Sequence, residues 1–197
     1  MDNQVLGTAR RVASVSPAPA MWAFVAVDLA SFAMFFAIFM AERSKASAAY
    51  ARSAELLNVH IGVANTIILI TSSWLVAIAV SAAEFGKFTL SARLLRAAAI
   101  VGLCFAGLKI VEYHGEIVAG AAPLTDPFFT YYFIMTGIHL LHVLAGCIML
   151  SVLAGKTRRP VDITNSIYWL KTGAIYWHMV DVLWLWIFPL LYLQGFR

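Results

Sequence analysis

The residues of this sequence that could carry chemistry are a few ionisable side chains within long apolar runs. Asp28 lies alone among apolar residues in the first run. An ionisable group inside a transmembrane helix costs about 2.5–3.5 kcal/mol on insertion scales, so each such residue is a functional candidate. Asp28 is interpreted either as a proton-handling carboxyl or as a carboxyl bonded to a neighbouring helix, and we favour the second role.

A second group lies near the end of the third apolar run and comprises Lys109, Glu112, His114 and Glu116. Lys109 and Glu112 are three residues apart and share a helix face, so the lysine can neutralise the carboxylate. The alternative is an interfacial cluster in which Lys109 extends its ammonium group to the headgroups. We favour that alternative for His114 and Glu116, and treat Glu112 as a candidate for an inter-helix contact.

Two further pairs have a spacing of three residues: His139 with His142, and His178 with Asp181. Imidazole binds transition metals and haem, and a histidine beside a carboxylate can relay protons. No second histidine pair and no Cys/His spacing is present, so we predict no metal site in this chain. We expect His139 and His142 to form hydrogen bonds between helices, and Asp181 to orient His178 in a structural pair or a relay.

The elements that position these residues follow from composition. The chain is 62% hydrophobic and only 12% charged, with a mean hydropathy of +0.83. A soluble domain has about 25% charged residues, so this chain requires a bilayer. Its apolar runs predict an all-α integral membrane bundle of five transmembrane helices, at about 20–41, 60–83, 94–118, 127–154 and 172–193.

Residues 1–19 then form an N-terminal tail before a membrane domain at 20–197. We expect the first run to be retained as a helix, because it is too long for the core of a signal peptide. Basic residues number nine on one side of the bundle and four on the other. The richer side is expected to be cytoplasmic, which places the N-terminus in the cytoplasm and the C-terminus in the periplasm.

The basic residues lie between the apolar runs and form no continuous stripe. Such a distribution favours contact with anionic membrane lipids and not with nucleic acid. Glycines within the fourth run, Gly137 and Gly146, are expected to let a neighbouring helix come close.

At these residues the chain resembles the subunit III family of cytochrome c oxidase. The segment 176–184, YWHMVDVLW, resembles the family's terminal-helix signature YWHFVDVVW, and 136–143, TGIHLLHV, resembles its TGxHxxHV block. Glu112 and Tyr113 match its EY pair, and 65–73 resembles its NT…SS helix. The resemblance extends over residues 21–193, and its signature packing residues here are Tyr113, Gly137, Trp177 and Trp184.

The resemblance implies a helix bundle bound against a catalytic, haem-bearing subunit in the bacterial inner membrane. Family members carry no haem or copper themselves, so the haem and the copper or iron would belong to the partner. They are expected to stabilise the catalytic subunit, to hold structural phospholipid, and to support proton uptake or oxygen access. Many members have seven helices, and this chain resembles the five-helix form.

Other functions remain open from the sequence. The family usually has Glu where this chain has Asp28. That difference and the compact length resemble a subfamily linked with nitric oxide reductase in denitrification. A small proton-conducting transporter could use Asp28, His139, His142 and His178, although the absence of an internal repeat disfavours it. A membrane anchor for haem b is the third alternative.

Overall fold

The computed structural model describes residues 16–124 and 126–193 of the chain. Over those ranges the chain forms helices and no strand. The helices are α1 (Pro19–Lys45), α2 (Ser47–Ala54), α3 (Val59–Glu84), α4 (Phe88–Val118), α5 (Pro127–Arg158) and α6 (Ile163–Tyr192).

Five of these helices, all except α2, are long and apolar enough to cross a membrane. This agrees with the predicted all-α class and the five predicted spans, and indicates a multi-pass membrane protein. The orientation of the termini stays a prediction. Most of the predicted N-terminal tail, with Arg10 and Arg11, lies outside the described residues, and so does Arg197.

The helix ends differ from the predicted ones, most clearly at the start of α4 and α6. Helix α4, the third predicted span, begins at Phe88 instead of about residue 94. Helix α6, the fifth predicted span, begins at Ile163 instead of about residue 172. Both helices therefore begin several residues before the apolar run. At α6, Asp162 Oδ1 accepts hydrogen bonds from the backbone N–H groups of Thr164 at 2.9 Å and Asn165 at 3.3 Å.

Four helices, α3 to α6, form a closed bundle, because each packs on the next and α6 returns to contact α3. Helix α1 packs on the outside of this bundle, mainly against α6 and less extensively against α5. Only Phe32 and Phe39 of α1 are buried. The short helix α2, which the apolar pattern did not predict, leads the chain from α1 towards the start of α5.

The bundle is closely packed around the indole ring of Trp177, which is fully buried. A Cβ atom added at Gly146 would stand 2.6 Å from this ring, and one added at Gly102 would stand 2.7 Å from it. Small residues therefore let α4 and α5 close around a large aromatic side chain.

The close approach predicted at Gly137 needs correction, since a Cβ atom there would meet no described atom within 4 Å. Gly137 precedes Gly146 by nine residues of α5, which is about two and a half turns. The two glycines therefore point to opposite sides of the helix, and only Gly146 faces the packed interior.

Candidate functional sites: polar clusters within the bundle

Lys109, on α4, is the centre of the largest polar cluster. Its Nζ atom donates hydrogen bonds to Glu112 Oε2 at 3.0 Å, Tyr132 OH at 3.1 Å and Tyr192 OH at 3.0 Å. The Tyr192 hydroxyl in turn donates to Glu112 Oε1 at 2.6 Å. The ammonium group thus has a partner for each of its three protons, and each Glu112 oxygen accepts a hydrogen bond.

Four aromatic rings surround the same ammonium group. Lys109 Nζ lies between 4.7 and 5.6 Å from the ring centroids of Tyr113, Tyr132, Trp184 and Tyr192. Such distances allow cation–π attraction, which is strongest where water is excluded. Helices α4, α5 and α6 all contribute rings, so the buried charge ties three helices together.

The alternative prediction that Lys109 extends to the headgroups is wrong, because its side chain is 0% exposed. Glu112, Tyr132 and Tyr192 bond the ammonium group within the bundle, so it does not need water as a partner. Glu112 has the inter-helix role expected of it, through Tyr192. Of the two remaining residues in this group, Glu116 is buried and His114 is exposed.

A second cluster joins α1 to α5 through Asp28 and His142. His142 Nε2 lies 3.2 Å from Asp28 Oδ1. The other ring nitrogen, Nδ1, lies 2.8 Å from the carbonyl oxygen of Ile138, which can only accept a hydrogen bond. Nδ1 therefore carries a proton and donates it to this carbonyl, while Nε2 faces the carboxylate of Asp28.

The environment of this pair is partly apolar and partly open. The Phe32 ring meets the imidazole edge-on at a centroid distance of 6.0 Å, and the Tyr176 ring stacks on it at 6.5 Å. Asp28 keeps 15% of its side chain exposed and His142 keeps 19%. His142 is the sixteenth of the 32 residues of α5, so the pair lies near the middle of its span.

The predicted pairing of Asp181 with His178 is not found. His178 Nδ1 lies 2.6 Å from Ser73 Oγ on α3, while both carboxyl oxygens of Asp181 have no hydrogen-bond partner among the described residues. A spacing of three residues places two side chains on one face of a helix but does not fix their rotamers. His178 turns to the hydroxyl of a neighbouring helix instead.

The prediction of an inter-helix hydrogen bond also needs correction at His139. Neither of its ring nitrogens has a hydrogen-bond partner in the described part of the chain. Its ring is fully buried against Phe105 and Trp184, at centroid distances of 5.5 and 5.3 Å. His139 therefore acts here as an aromatic packing residue, and His142 makes the inter-helix contact.

Hydroxyl groups bond two of the signature residues, a role that the sequence pattern did not predict. Trp184 Nε1 donates to Thr66 Oγ1 at 2.9 Å, and the Tyr113 hydroxyl lies 2.7 Å from Thr136 Oγ1. Serine and threonine are common in transmembrane helices, so single hydroxyls give little signal. Within residues 16–124 and 126–193, no three His, Cys, Asp or Glu side chains are grouped so that they could hold a metal ion.

Comparison with known proteins places these clusters in a family. The sequence model of the family described as Cytochrome c oxidase subunit III matches residues 21–196, which include every cluster above. The chain belongs to the cytochrome c oxidase subunit III family. The match extends from the first turn of α1 beyond the end of α6, so it includes all five spans of this subunit III protein.

Individual relatives of this subunit III protein carry related names. It is 30% identical to the "Cytochrome c oxidase subunit 3" of Alkalihalophilus pseudofirmus, over 88% of this chain and 84% of that protein. It is 30% identical to the "Probable cytochrome c oxidase subunit 3" of Mycobacterium leprae, over 90% and 87%. It is 27% identical to the "Quinol oxidase subunit 3" of Bacillus subtilis, over 88% and 85%. None of these names supports the nitric oxide reductase, transporter or haem-anchor alternatives.

Proposed function

We propose that this subunit III protein is a non-redox accessory subunit of a bacterial haem-copper terminal oxidase in aerobic electron transport. The observation that carries the proposal is the family match over residues 21–196, together with relatives named as subunits of oxidases. In this proposal the haem and the copper or iron belong to the catalytic partner subunit. The chain contributes contacts and no redox centre.

The outer surface around α1 supports a role in binding and stabilising that partner. Helix α1 has only two buried residues, and large apolar side chains such as Trp22, Val27 and Met34 are exposed along it. The Asp28–His142 pair joins this helix to α5, and 15% of the Asp28 side chain and 19% of the His142 side chain stay exposed. Polar groups that face acyl chains are costly, so a protein subunit packed against this surface would stabilise the pair.

We also propose that the Asp28–His142 pair assists proton uptake by the catalytic subunit. Asp28 Oδ1 and His142 Nε2 lie 3.2 Å apart, within reach for transfer of a proton, and Asp28 Oδ2 has no hydrogen-bond partner among the described residues. This oxygen is buried, and a buried carboxyl oxygen without a protein partner is a place where an internal water molecule can bind. The exposed apolar residues of α1 are compatible with the alternative role, oxygen access.

The charges at the ends of the helices support insertion in the bacterial inner membrane with the N-terminus in the cytoplasm. Seven described cations lie at the end that joins α3 to α4 and α5 to α6, where the described acidic residues are Glu84 and Asp162. The opposite end has three described cations and a similar number of acids. The cations are Lys87, Arg93, Arg96, Lys156, Arg158, Arg159 and Lys171, against Arg43, Lys45 and Arg52.

The proposal is tested by a reduced-minus-oxidised optical spectrum of the complex that co-purifies with the full chain in mild detergent. Haem a would identify a cytochrome c oxidase, and a b-type haem with quinol-dependent oxygen uptake would identify a quinol oxidase. Either result supports the proposal. Haems b and c with nitric oxide reduction, or a preparation without haem, would overturn it.

A further inference from the structure

The cation-rich end of the bundle contains a depression between the start of α4 and the link that follows α5. Its volume is about 480 Å³. Three cationic side chains line it: Lys87 and Arg93 from one side and Arg158 from the other. They come from separate parts of the chain, because Arg93 lies in the second turn of α4 and Arg158 is the last residue of α5.

The depression is positively charged and contains no acid. Among the described residues, none of the three cations has a carboxylate oxygen within 4.0 Å. Of the acids at this end, Glu84 is paired with Lys171 at 2.8 Å, and Asp162 caps α6. Three like charges around one space repel each other, and an anion between them reverses the sign of that interaction.

The backbone at the start of α4 adds to this positive potential. The N-cap residue of α4 is Lys87, which makes no capping hydrogen bond, and the first turn has no acidic residue. The first N–H groups of a helix have no partner within the helix and attract anions. These groups belong to Phe88, Thr89 and Leu90, which also line the depression.

The position of the depression in the membrane identifies the kind of anion. Helix α4 has 31 residues and is about 46 Å long, which exceeds the hydrocarbon thickness of about 30 Å, so its first turns reach the headgroup layer. Two apolar side chains lie beside the cations at this level: Phe85, which is 76% exposed, and Leu90, which is 44% exposed. They provide a surface for acyl chains.

We propose that Lys87, Arg93 and Arg158 bind the phosphate of an anionic phospholipid headgroup, so that one lipid bridges the start of α4 and the end of α5. The guanidinium groups suit this role because they form paired hydrogen bonds with phosphate oxygens. The proposal does not depend on which oxidase this chain serves.

The test is native mass spectrometry of the full chain in detergent, titrated with phosphatidylglycerol, with zwitterionic phosphatidylcholine, or with inorganic phosphate. We expect one phosphatidylglycerol to bind in preference to phosphatidylcholine. Each cation that contacts the phosphate should contribute about fivefold to the affinity, so Arg93→Gln with Arg158→Gln should reduce binding about 25-fold. Inorganic phosphate should not displace the lipid.

Arg96→Gln is the matched control, because Arg96 lies on α4 close to Arg93, is exposed, and does not line the depression. It should bind phosphatidylglycerol like the unmodified chain. If the double variant does not purify as a folded protein, Lys87→Gln alone should show the fivefold loss. Equal binding of both lipids, equal losses in Arg96→Gln and Arg93→Gln, or displacement of the lipid by inorganic phosphate would each overturn the proposal.

Discussion

Asp28 on α1 and His142 on α5 are joined by a contact of 3.2 Å between carboxylate and imidazole, near the middle of the spans of two helices that otherwise touch little. This contact is the main polar link between the described part of α1 and the core of the bundle. The other is at the end of the helix, where Ala18 N donates to Thr172 Oγ1 at 3.0 Å.

We predict that Asp28→Ala weakens the docking of α1 by about 1 kcal/mol, which is typical of a polar contact between transmembrane helices. A double-mutant cycle with His142→Ala, measured by unfolding of the full chain in micelles, should give a coupling energy of that size. Ser31→Ala is a suitable control, since the Ser31 hydroxyl bonds only to its own helix, at Val27 O. Additive effects of Asp28→Ala and His142→Ala would contradict the contact.

Lys109→Met should be strongly destabilising, by about 3–5 kcal/mol, because it leaves the buried Glu112 carboxylate without its cation. The double variant Lys109→Met with Glu112→Gln should recover much of the loss, since no unpaired charge then remains. The thermal midpoint of the purified chain measures both changes. Lys45→Met provides the exposed control, because Lys45 pairs with Glu42 at the helix end. A double variant no better than the single one would argue against charge compensation.

Gly146→Ala should destabilise the bundle by about 1–3 kcal/mol, because the new Cβ would stand 2.6 Å from the Trp177 ring. Gly137→Ala makes the same chemical change on the same helix where no described atom lies within 4 Å, so it should be neutral or slightly stabilising. Chemical unfolding of both variants measures the difference in their free energies of unfolding. Similar losses for the two glycines would mean that the contact with the Trp177 ring does not set the effect.

Ser73→Ala should cost about 1 kcal/mol through the loss of the hydroxyl that bonds His178. Asp181→Asn should cost less, because the Asp181 oxygens have no hydrogen-bond partner among the described residues. In the purified complex neither change, nor His178→Ala, should remove a haem band while the complex stays assembled. Loss of a chromophore from an intact complex would contradict the non-redox role.

The number of spans could be predicted because a bilayer requires apolar runs of a minimum length, and the sequence has five runs of that length. The first residue of α6 could not, since the helix begins directly after the capping residue Asp162 and not at a change in hydropathy. The resemblance of segments 136–143 and 176–184 to subunit III led to the correct family.

The pairing of Lys109 with Glu112 could be predicted from opposite charges on one helix face, and Asp28 and His142 could each be predicted to contact a neighbouring helix, but not to contact each other. Rotamers and the partners across the bundle decided the others. His178 prefers Ser73 to Asp181, and His139 packs between rings, although His142 one turn later meets a carboxylate. A spacing in the sequence defines which residues share a face, but not which neighbour that face meets.

The position of α1 outside the closed four-helix bundle has a consequence for synthesis. Its polar partners, His142 and Thr172, are encoded 114 and 154 residues after Asp28 and Ala18. At about 5–20 residues per second, roughly 8–30 s pass between the synthesis of Ala18 and the point at which both partners have been made. Until His142 has been made, the Asp28 carboxyl lacks its partner in the folded bundle. We therefore expect early steps of biogenesis to depend on how the insertion machinery accommodates this first helix.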